Sequence, residues 1–194
     1  MNVLFLTMGR FESIEAHSIY ADLLRCFRNH GHDVYVIAPY EKRTGKKTEL
    51  IDENGAHILH IETGDVTGAS NLIRKGIAQI SVEPIFIKGI KRYFSNVKFD
   101  LILYSTPPIT FAKVVEYVKK RDNARTYLLL KDIFPQNAVD LGMMTTTGPK
   151  GLIYKFFRAK ERKLYAISDR IGCMSQANVD YVLKHNPEID PGKV

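Results

Sequence analysis

The sequence lacks the features that would tie a chain to a membrane span, a disulfide framework or a dinucleotide. No apolar stretch approaches the roughly 18 residues needed to cross a bilayer. The start, "MNVLFLTM", is too short an apolar run for a secretory signal and has no cleavage pattern. Any membrane contact is therefore expected to be peripheral. There are two cysteines, Cys26 and Cys173, far apart and each among apolar neighbours, without C-x-x-C spacing or a histidine cluster. That excludes the common zinc and dithiol patterns, and both are expected as reduced core residues of a cytosolic protein. The glycine pattern G-x-G-x-x-G is missing, since Glu12 and Ser13 stand where further glycines would be needed, which disfavours an NAD enzyme. Internal repeats, low-complexity tracts and clusters of hairpins are absent as well. So are helix-turn-helix, zinc and aromatic RNA-binding patterns, so nucleic acid is not an expected partner.

What is present is a core and a basic balance. The 194 residues are 45% hydrophobic, enough for one domain over 1–194 to bury its own interior. Lysine and arginine exceed aspartate and glutamate by 28 to 21. Such a balance favours an anionic partner, whether nucleic acid, a phosphorylated small molecule or an acidic membrane surface, and charge alone does not choose among them.

Apolar periodicity alternates along the chain. Val3 to Thr7 reads as a strand buried on both faces, Ser13 to His30 as a helix stopped by Gly31, and "HDVYVIAP" as a second strand. A strand, a helix and a strand in so short a span make a βαβ unit with parallel strands. "YEKRTGKKTELIDENG" reads as an exposed loop and "AHILHIET" as a third strand. Asn71 to Phe94 reads as helix that Glu83-Pro84 should break or kink. "FDLILYSTPP", "ARTYLLLKD" and "DRIGCMS" complete the strands, with helices over Thr110 to Lys120, Gly148 to Ala166 and Gln176 to Lys184. The expected fold is α/β: a Rossmann-like, doubly wound, mostly parallel sheet of about six strands with helices on both faces. Ligands of such sheets sit beyond the carboxyl ends of the strands, so the loops after Met8, Pro39, Ser105, Lys131 and Met174 are the ones to inspect.

The first of these carries Gly9 at the strand exit, with Glu15 and His17 in the expected first helical turn, where free N–H groups suit an anion. The plain alternative is that Ser13 caps the helix while Glu15 and His17 are solvated. Ser105 and Thr106 could face a ligand, or "STPP" could be only a proline-started helix with Pro108 in its first turn. Lys131 and Asp132 leave the fifth strand at the cleft mouth. A carboxylate there can accept hydrogen bonds from a sugar hydroxyl or act as a general base, or it can simply form a turn. From Lys150 to Lys163 the chain has six basic residues and one acid, Glu161. Lys155, Arg158 and Arg162 share a helical stripe that could rest on an anionic membrane, whereas Ile153, Phe156, Phe157 and Leu164 are expected to cover the sheet. Arg74, Lys75, Lys88, Lys91, Arg92 and Lys98 offer a second basic surface.

Four segments in order, "IEAHSIYADLLRCFRNHGHDVYVIAP", "DLILYSTPP", "LLLKDIFPQNAVDLGMM" and "KERKLYAISDRIGCMSQANVDYV", resemble the amino-terminal half of family-4 glycosyltransferases of the capsule and O-antigen type. These enzymes pair two Rossmann-like domains in the GT-B arrangement. The resemblance implies retaining transfer of a sugar from a nucleotide-sugar donor, itself a substrate, to a lipid-linked saccharide acceptor, with no metal and no bound cofactor. It places catalytic roles at Asp132 and His17 and substrate contacts at Gly9, Glu15, Ser105, Thr106 and Lys131. It implies a cytoplasmic location, peripheral on the inner membrane face. The donor-binding domain with its E-x(7)-E motif is expected to be missing, because the chain stops at "NPEIDPGKV" near the interdomain linker, and the fragment alone should not turn over. The competing expectation is a non-catalytic domain that recruits a separate catalytic subunit to the membrane.

Overall fold

Continuous apolar runs become the inner strands because both faces of a parallel sheet are covered. The computed structural model describes residues 1–65, 72–107, 109–149 and 151–194, with the backbone alone over 72–80. The strands are β1 (Asn2–Leu6), β2 (Asp33–Glu41), β3 (Glu49–Glu53), β4 (Ala56–Thr63), β5 (Leu101–Ser105), β6 (Arg125–Leu130) and β7 (Arg170–Cys173). The helices are α1 (Ile19–Asn29), α2 (Leu72–Tyr93), α3 (Ala112–Asp122), α4 (Gln136–Asp140), α5 (Gly151–Ile167) and α6 (Gln176–His185). The strands form one seven-stranded sheet in the order β3-β4-β2-β1-β5-β6-β7, parallel throughout except for β3 at one edge. The doubly wound α/β fold read from the alternation is therefore present, with seven strands in place of about six.

The extra strand lies in the segment expected to be an exposed loop. Leu50 and Ile51 lie opposite Leu59 and Ile58, and the two-residue turn Asn54-Gly55 has positive φ at both positions, 45° and 79°. Asn-Gly is the pair that adopts this hairpin turn at least cost.

Two cores lie on the two faces. One gathers Leu4, Leu6 and Tyr104 under Phe86 and Ile90 of α2, Val115 and Val118 of α3, Leu164 of α5 and Val182 of α6. The other packs Val3, Phe5, Val34, Val36 and Ile58 under Leu24 of α1 and Phe11 and Ile14 of the loop before it. Each fully buried side chain of this kind contributes about 1.5–3 kcal/mol.

Two expectations are corrected on local grounds. Pro84, which has no N–H for the helical ladder, does not break α2, whose face carrying Val82, Phe86 and Ile90 is fully buried. The neighbouring Glu83 turns to α3, where Oε1 accepts the Lys113 N–H at 2.7 Å; Phe111, the N-cap residue, makes no side-chain cap. The second correction is Cys26, which is exposed rather than buried, since helical spacing puts it outward beside Leu24; Cys173 is half-buried. Pro108, read as a helix starter, and the side chains of Arg74 and Lys75 lie outside the described residues.

Candidate functional site

β1, β5, β6 and β7 all deliver their carboxyl ends to one rim: Leu6 pairs with Tyr104, Ser105 with Leu129, and Leu130 with Cys173. β6 then leaves through Lys131 and Asp132. Both backbone N–H groups donate to one acceptor, the buried Thr106 Oγ1, at 3.1 and 3.2 Å. Thr106 is therefore not an open substrate contact, as the sequence suggested, but the fastening of the Lys131–Asp132 turn. The Asp132 side chain is exposed at the mouth. Lys131 Nζ sits 4.2 Å from the centre of the Tyr20 ring of α1, so a cation is held across the gap between β6 and α1. Ser105 is buried at the end of β5. Thr106→Val, which keeps the shape and removes the acceptor, should cost about 1–3 kcal/mol in denaturant unfolding, whereas Thr106→Ser should cost much less.

The rest of the turn is also accounted for. Phe134 packs edge-on against Phe157 of α5 at 5.1 Å, and the cis Phe134–Pro135 peptide leads directly into α4. The aromatic thus ties the turn to α5 and the core beneath it, leaving the acid at the rim.

The first loop is arranged differently from its sequence reading. α1 begins at Ile19, and its cap is Ser18, whose side chain accepts the Ala21 N–H. Glu15 and His17 therefore precede the helix instead of occupying its first turn. Residues 11–17 satisfy their polar groups without helix: the Glu53 carboxylate takes Ser13 Oγ and the Ile14 N–H, and Arg25 Nη1 donates to the Ile14 and Ala16 carbonyls. Glu15 accepts from Arg28 at 2.6 Å and from Asn54 at 3.2 Å. Arg28 lies in the last turn of α1 and Asn54 just before β4 begins, which is the end of the sheet opposite the rim. Glu15 is thus a brace at the far end and not a cleft acid, and the Arg28 guanidinium holds its carboxyl below the usual range. His17 is exposed next to the cap. Gly9 is exposed at the rim, but its N–H donates to Thr7 Oγ1 at 2.9 Å and so is not free for an anion.

Of the three stripe residues on α5, Lys155 and Arg162 are exposed, the second of them ion-paired, while Arg158 is committed inward. Arg158 bonds Glu161, the His185 carbonyl and Asn186, and Arg162 bonds Glu188. Among the described residues no group of three His, Cys, Asp or Glu side chains could hold a metal, and no helix is long and apolar enough to cross a membrane.

Comparison with protein-family models gives no match, and neither does comparison with curated proteins. Solved structures do match. Trehalose-6-phosphate synthase from E. coli, bound with UDP-2-fluoro glucose, superposes with a TM-score of 0.63 at 8% identity, over 97% of this chain and 43% of that one. An alpha,alpha-trehalose-phosphate synthase (UDP-forming) from Burkholderia vietnamiensis superposes with a TM-score of 0.58 at 7% identity, over 95% of this chain and 43% of that one. The fold is that of one GT-B domain. The chain spans less than half the length of either of these two structures.

One feature of this GT-B domain was invisible to motif reading, because "AHILHIET" reads only as a strand. His60 of β4 is 1% exposed, and neither ring nitrogen has a hydrogen-bond partner among the described residues. Its ring stacks flat on Tyr40 of β2, centroids 4.1 Å apart, with Lys46 Nζ 4.8 Å from the Tyr40 centroid. Glu49 and Glu12 also act on it; burial is the largest influence and Lys46 adds to it, so the imidazole lies below its usual range. Burial also pushes the Tyr40 phenol up to about 12, helped by Glu49. A depressed histidine binds its proton more readily in the unfolded chain. Its stability contribution is thus complete above about pH 6.5 and is lost as pH falls below that value. Thermal melts from neutral to mildly acid pH should show this loss, and His60→Phe should flatten it; parallel curves for the two proteins would clear His60 of the effect.

Proposed function

We propose that this chain is the acceptor-side domain of a retaining GT-B glycosyltransferase of the family-4 type, working in cell-surface polysaccharide synthesis. The reading rests on one observation above the others: over 97% of its length the backbone follows part of a synthase whose structure holds a sugar nucleotide analogue, and that synthase continues well beyond the match. In this reading a nucleotide-sugar donor, needing no metal, is held mainly by a second domain. The saccharide acceptor, joined to a lipid, meets the rim described above. Asp132 accepts a hydrogen bond from the attacking hydroxyl, and the Lys131 ammonium, kept near Tyr20, attracts the acceptor's phosphate charge. His17 is the second polar group offered at the start of α1. The reaction takes place at the cytoplasmic face of the membrane.

The test joins the domain to a donor-binding domain and supplies radiolabelled nucleotide sugars with a lipid-diphosphate saccharide. Label should pass to the lipid-extractable saccharide for at least one donor. Failure with every donor, by a protein that still binds nucleotide sugar, would remove the transferase reading.

A further inference from the structure

We propose that the edge of β3 pairs with the same edge of a second copy of this chain, joining the two sheets through an antiparallel contact. In the sheet order β3 stands last, with β4 on one side and, among the described residues, no strand on the other. Which of its groups face outward follows from the hairpin. Glu53 and Ala56 flank the two-residue turn, so they exchange hydrogen bonds as its closing pair, and the pattern then alternates along the strand. Glu53, Ile51 and Glu49 bond to β4, whereas Asp52 and Leu50 turn their N–H and C=O groups away from it. The Glu62 N–H, in phase with Ala56, Ile58 and His60 on β4, reaches back to Thr48 Oγ1 at 2.9 Å, as that alternation requires. Leu50 is 38% exposed, and β3 contains neither the proline nor the lysine that commonly blunt an edge.

Charge selects a second copy as the occupant. The segment entering the strand is basic, Lys46 and Lys47, and the end of the strand is acidic, Asp52 and Glu53. A parallel neighbour of the same sequence would set like charges side by side, whereas an antiparallel one lays the basic entry of each copy along the acidic end of the other. Three of these groups have local partners: Lys47 reaches Glu62, Asp52 reaches His57, and the Glu53 carboxylate holds Ser13 Oγ and the Ile14 N–H. The Lys47 and Asp52 side chains are still 81% and 70% exposed, so their charge acts across the contact without their leaving those partners. Lys46 rests on the Tyr40 ring, and no ion pair among the described residues includes it. Register follows from the same charges. Only outward-facing residues can exchange bonds, which leaves Glu49, Leu50 or Ile51 as the centre of the two-fold axis within the strand. Centring on Glu49 sets Glu49 against itself, and centring on Ile51 sets Glu49 against Glu53. Centring on Leu50 puts no two acids directly opposite: Leu50 faces Leu50, Glu49 faces Ile51, and the Leu50 N–H and C=O groups bond across the axis. The contact is small, so the dimer is expected to be weak and concentration-dependent.

The contact lies away from the rim. The strands β4, β2, β1 and β5 separate β3 from β6. At about 4.8 Å per strand, β3 is roughly 24 Å from the Lys131–Asp132 turn, and both rims of the dimer stay open. The pairing therefore does not depend on the function proposed above, and either can fail without the other. α5 supplies the competing surface. It was expected to turn Ile153 and Phe156 towards the sheet, but both are exposed, at 53% and 45%. An apolar face accepts any apolar occupant, whereas the β3 edge is complementary to itself.

The experiment is sedimentation equilibrium of the 194-residue chain over a wide range of concentration, with cysteine cross-linking to read the register. The chain should pass from monomer to dimer as concentration rises. Leu50→Pro removes one outward N–H from each copy without touching a bond to β4, and Leu50→Lys sets two ammonium groups on the axis. Each should weaken dimerisation by about tenfold or more, the scale of two lost hydrogen bonds. Leu50→Lys keeps the backbone donor, so a folding defect in Leu50→Pro leaves the test intact. In a Cys26→Ser background, Leu50→Cys should oxidise to a linked dimer, because a bonded antiparallel pair has its Cα atoms about 5.5 Å apart, within disulfide reach. Asp52→Cys should not link, since its two copies would stand more than about 13 Å apart. The proposal is overturned if the chain stays monomeric throughout, or if Asp52→Cys links as readily as Leu50→Cys. It is also overturned if Leu50→Pro and Leu50→Lys both dimerise as the parent does; loss of that dimer in the double variant Ile153→Glu, Phe156→Glu would then assign it to α5.

Discussion

In a polypeptide that joins this domain to its donor-binding partner, Asp132→Ala is expected to lower kcat/KM for sugar transfer by about 10²-fold or more, the usual scale for a group that handles a reacting proton. Glu15→Ala should leave kcat/KM within a few-fold of the parent. Both acids were expected at the cleft, Asp132 in a catalytic role and Glu15 as a substrate contact, and the structure separates them. Asp132 is exposed on a turn whose two N–H groups are held by Thr106 Oγ1, whereas Glu15 is tied to Arg28 and Asn54 at the far end of the sheet. The loss in Asp132→Ala should fall on kcat more than on KM if the carboxylate acts on the attacking hydroxyl, because such an interaction strengthens in the transition state. Asp132→Asn should recover part of KM but little of kcat, since an amide can orient a hydroxyl without accepting its proton. Steady-state kinetics of the three variants with one donor decide the matter. Normal turnover by Asp132→Ala would take Asp132 out of the site, and a large loss in Glu15→Ala would mean that the first loop rearranges when the domains meet.

The inner strands were legible because the physics that makes them is local. A run such as Val3 to Leu6 is apolar at every position only where both faces of the strand are covered, and the sequence carries that requirement openly. β3 was hidden for the complementary reason. An edge strand needs few apolar residues, and Leu50 and Ile51 were outweighed by the lysines and glutamates around them; the Asn54-Gly55 pair was the signal available. The start of α1 was misplaced because Ile14 and Ile19 fit a helical period equally well. What decides is Glu53, some 40 positions further on, whose carboxylate takes Ser13 Oγ and the Ile14 N–H and holds the segment in an irregular path. A contact over that separation leaves no trace in the local pattern.

The candidate site was legible in position and not in direction. The carboxyl ends of β5 and β6 do lie at one rim, as topology requires, and Lys131 and Asp132 emerge there. Whether a given polar side chain on the rim is free or engaged depends on partners that periodicity does not name. Thr106 is consumed by two backbone N–H groups, Gly9 by Thr7, and Arg158 by Glu161 and Asn186. The exposed Ile153 and Phe156 are the converse case: their helical phase implied burial, but the layer that would cover them is absent among the described residues.

The largest expected change in stability lies away from the rim, at Glu161. The residue is 3% exposed, with Oε1 accepting the Tyr165 hydroxyl at 2.7 Å and Oε2 facing Arg158 Nη1 at 2.6 Å. Arg158 continues to the His185 carbonyl at 2.8 Å and to Asn186 Oδ1 at 2.6 Å, so one buried carboxylate ties α5 to the end of α6. Burial pushes the carboxyl above the ordinary range, and the Tyr165 hydroxyl and Arg158 pull it back. Glu161→Ala removes the carboxylate, leaves the Arg158 cation and the Tyr165 hydroxyl without their partner, and opens a gap in the layer. A loss of about 3–5 kcal/mol in denaturant unfolding is expected, as for other buried pairs broken on one side. The pair itself need not be worth that much, because both charges were taken out of water to make it. The double variant Arg158→Met, Glu161→Leu should therefore lie within about 2 kcal/mol of the parent, since matched apolar replacements of buried pairs are often neutral. If the double variant is as unstable as Glu161→Ala, the contacts of Arg158 with His185 and Asn186 carry the junction. If Glu161→Ala costs under 1 kcal/mol, the carboxylate is not what holds α6 to α5.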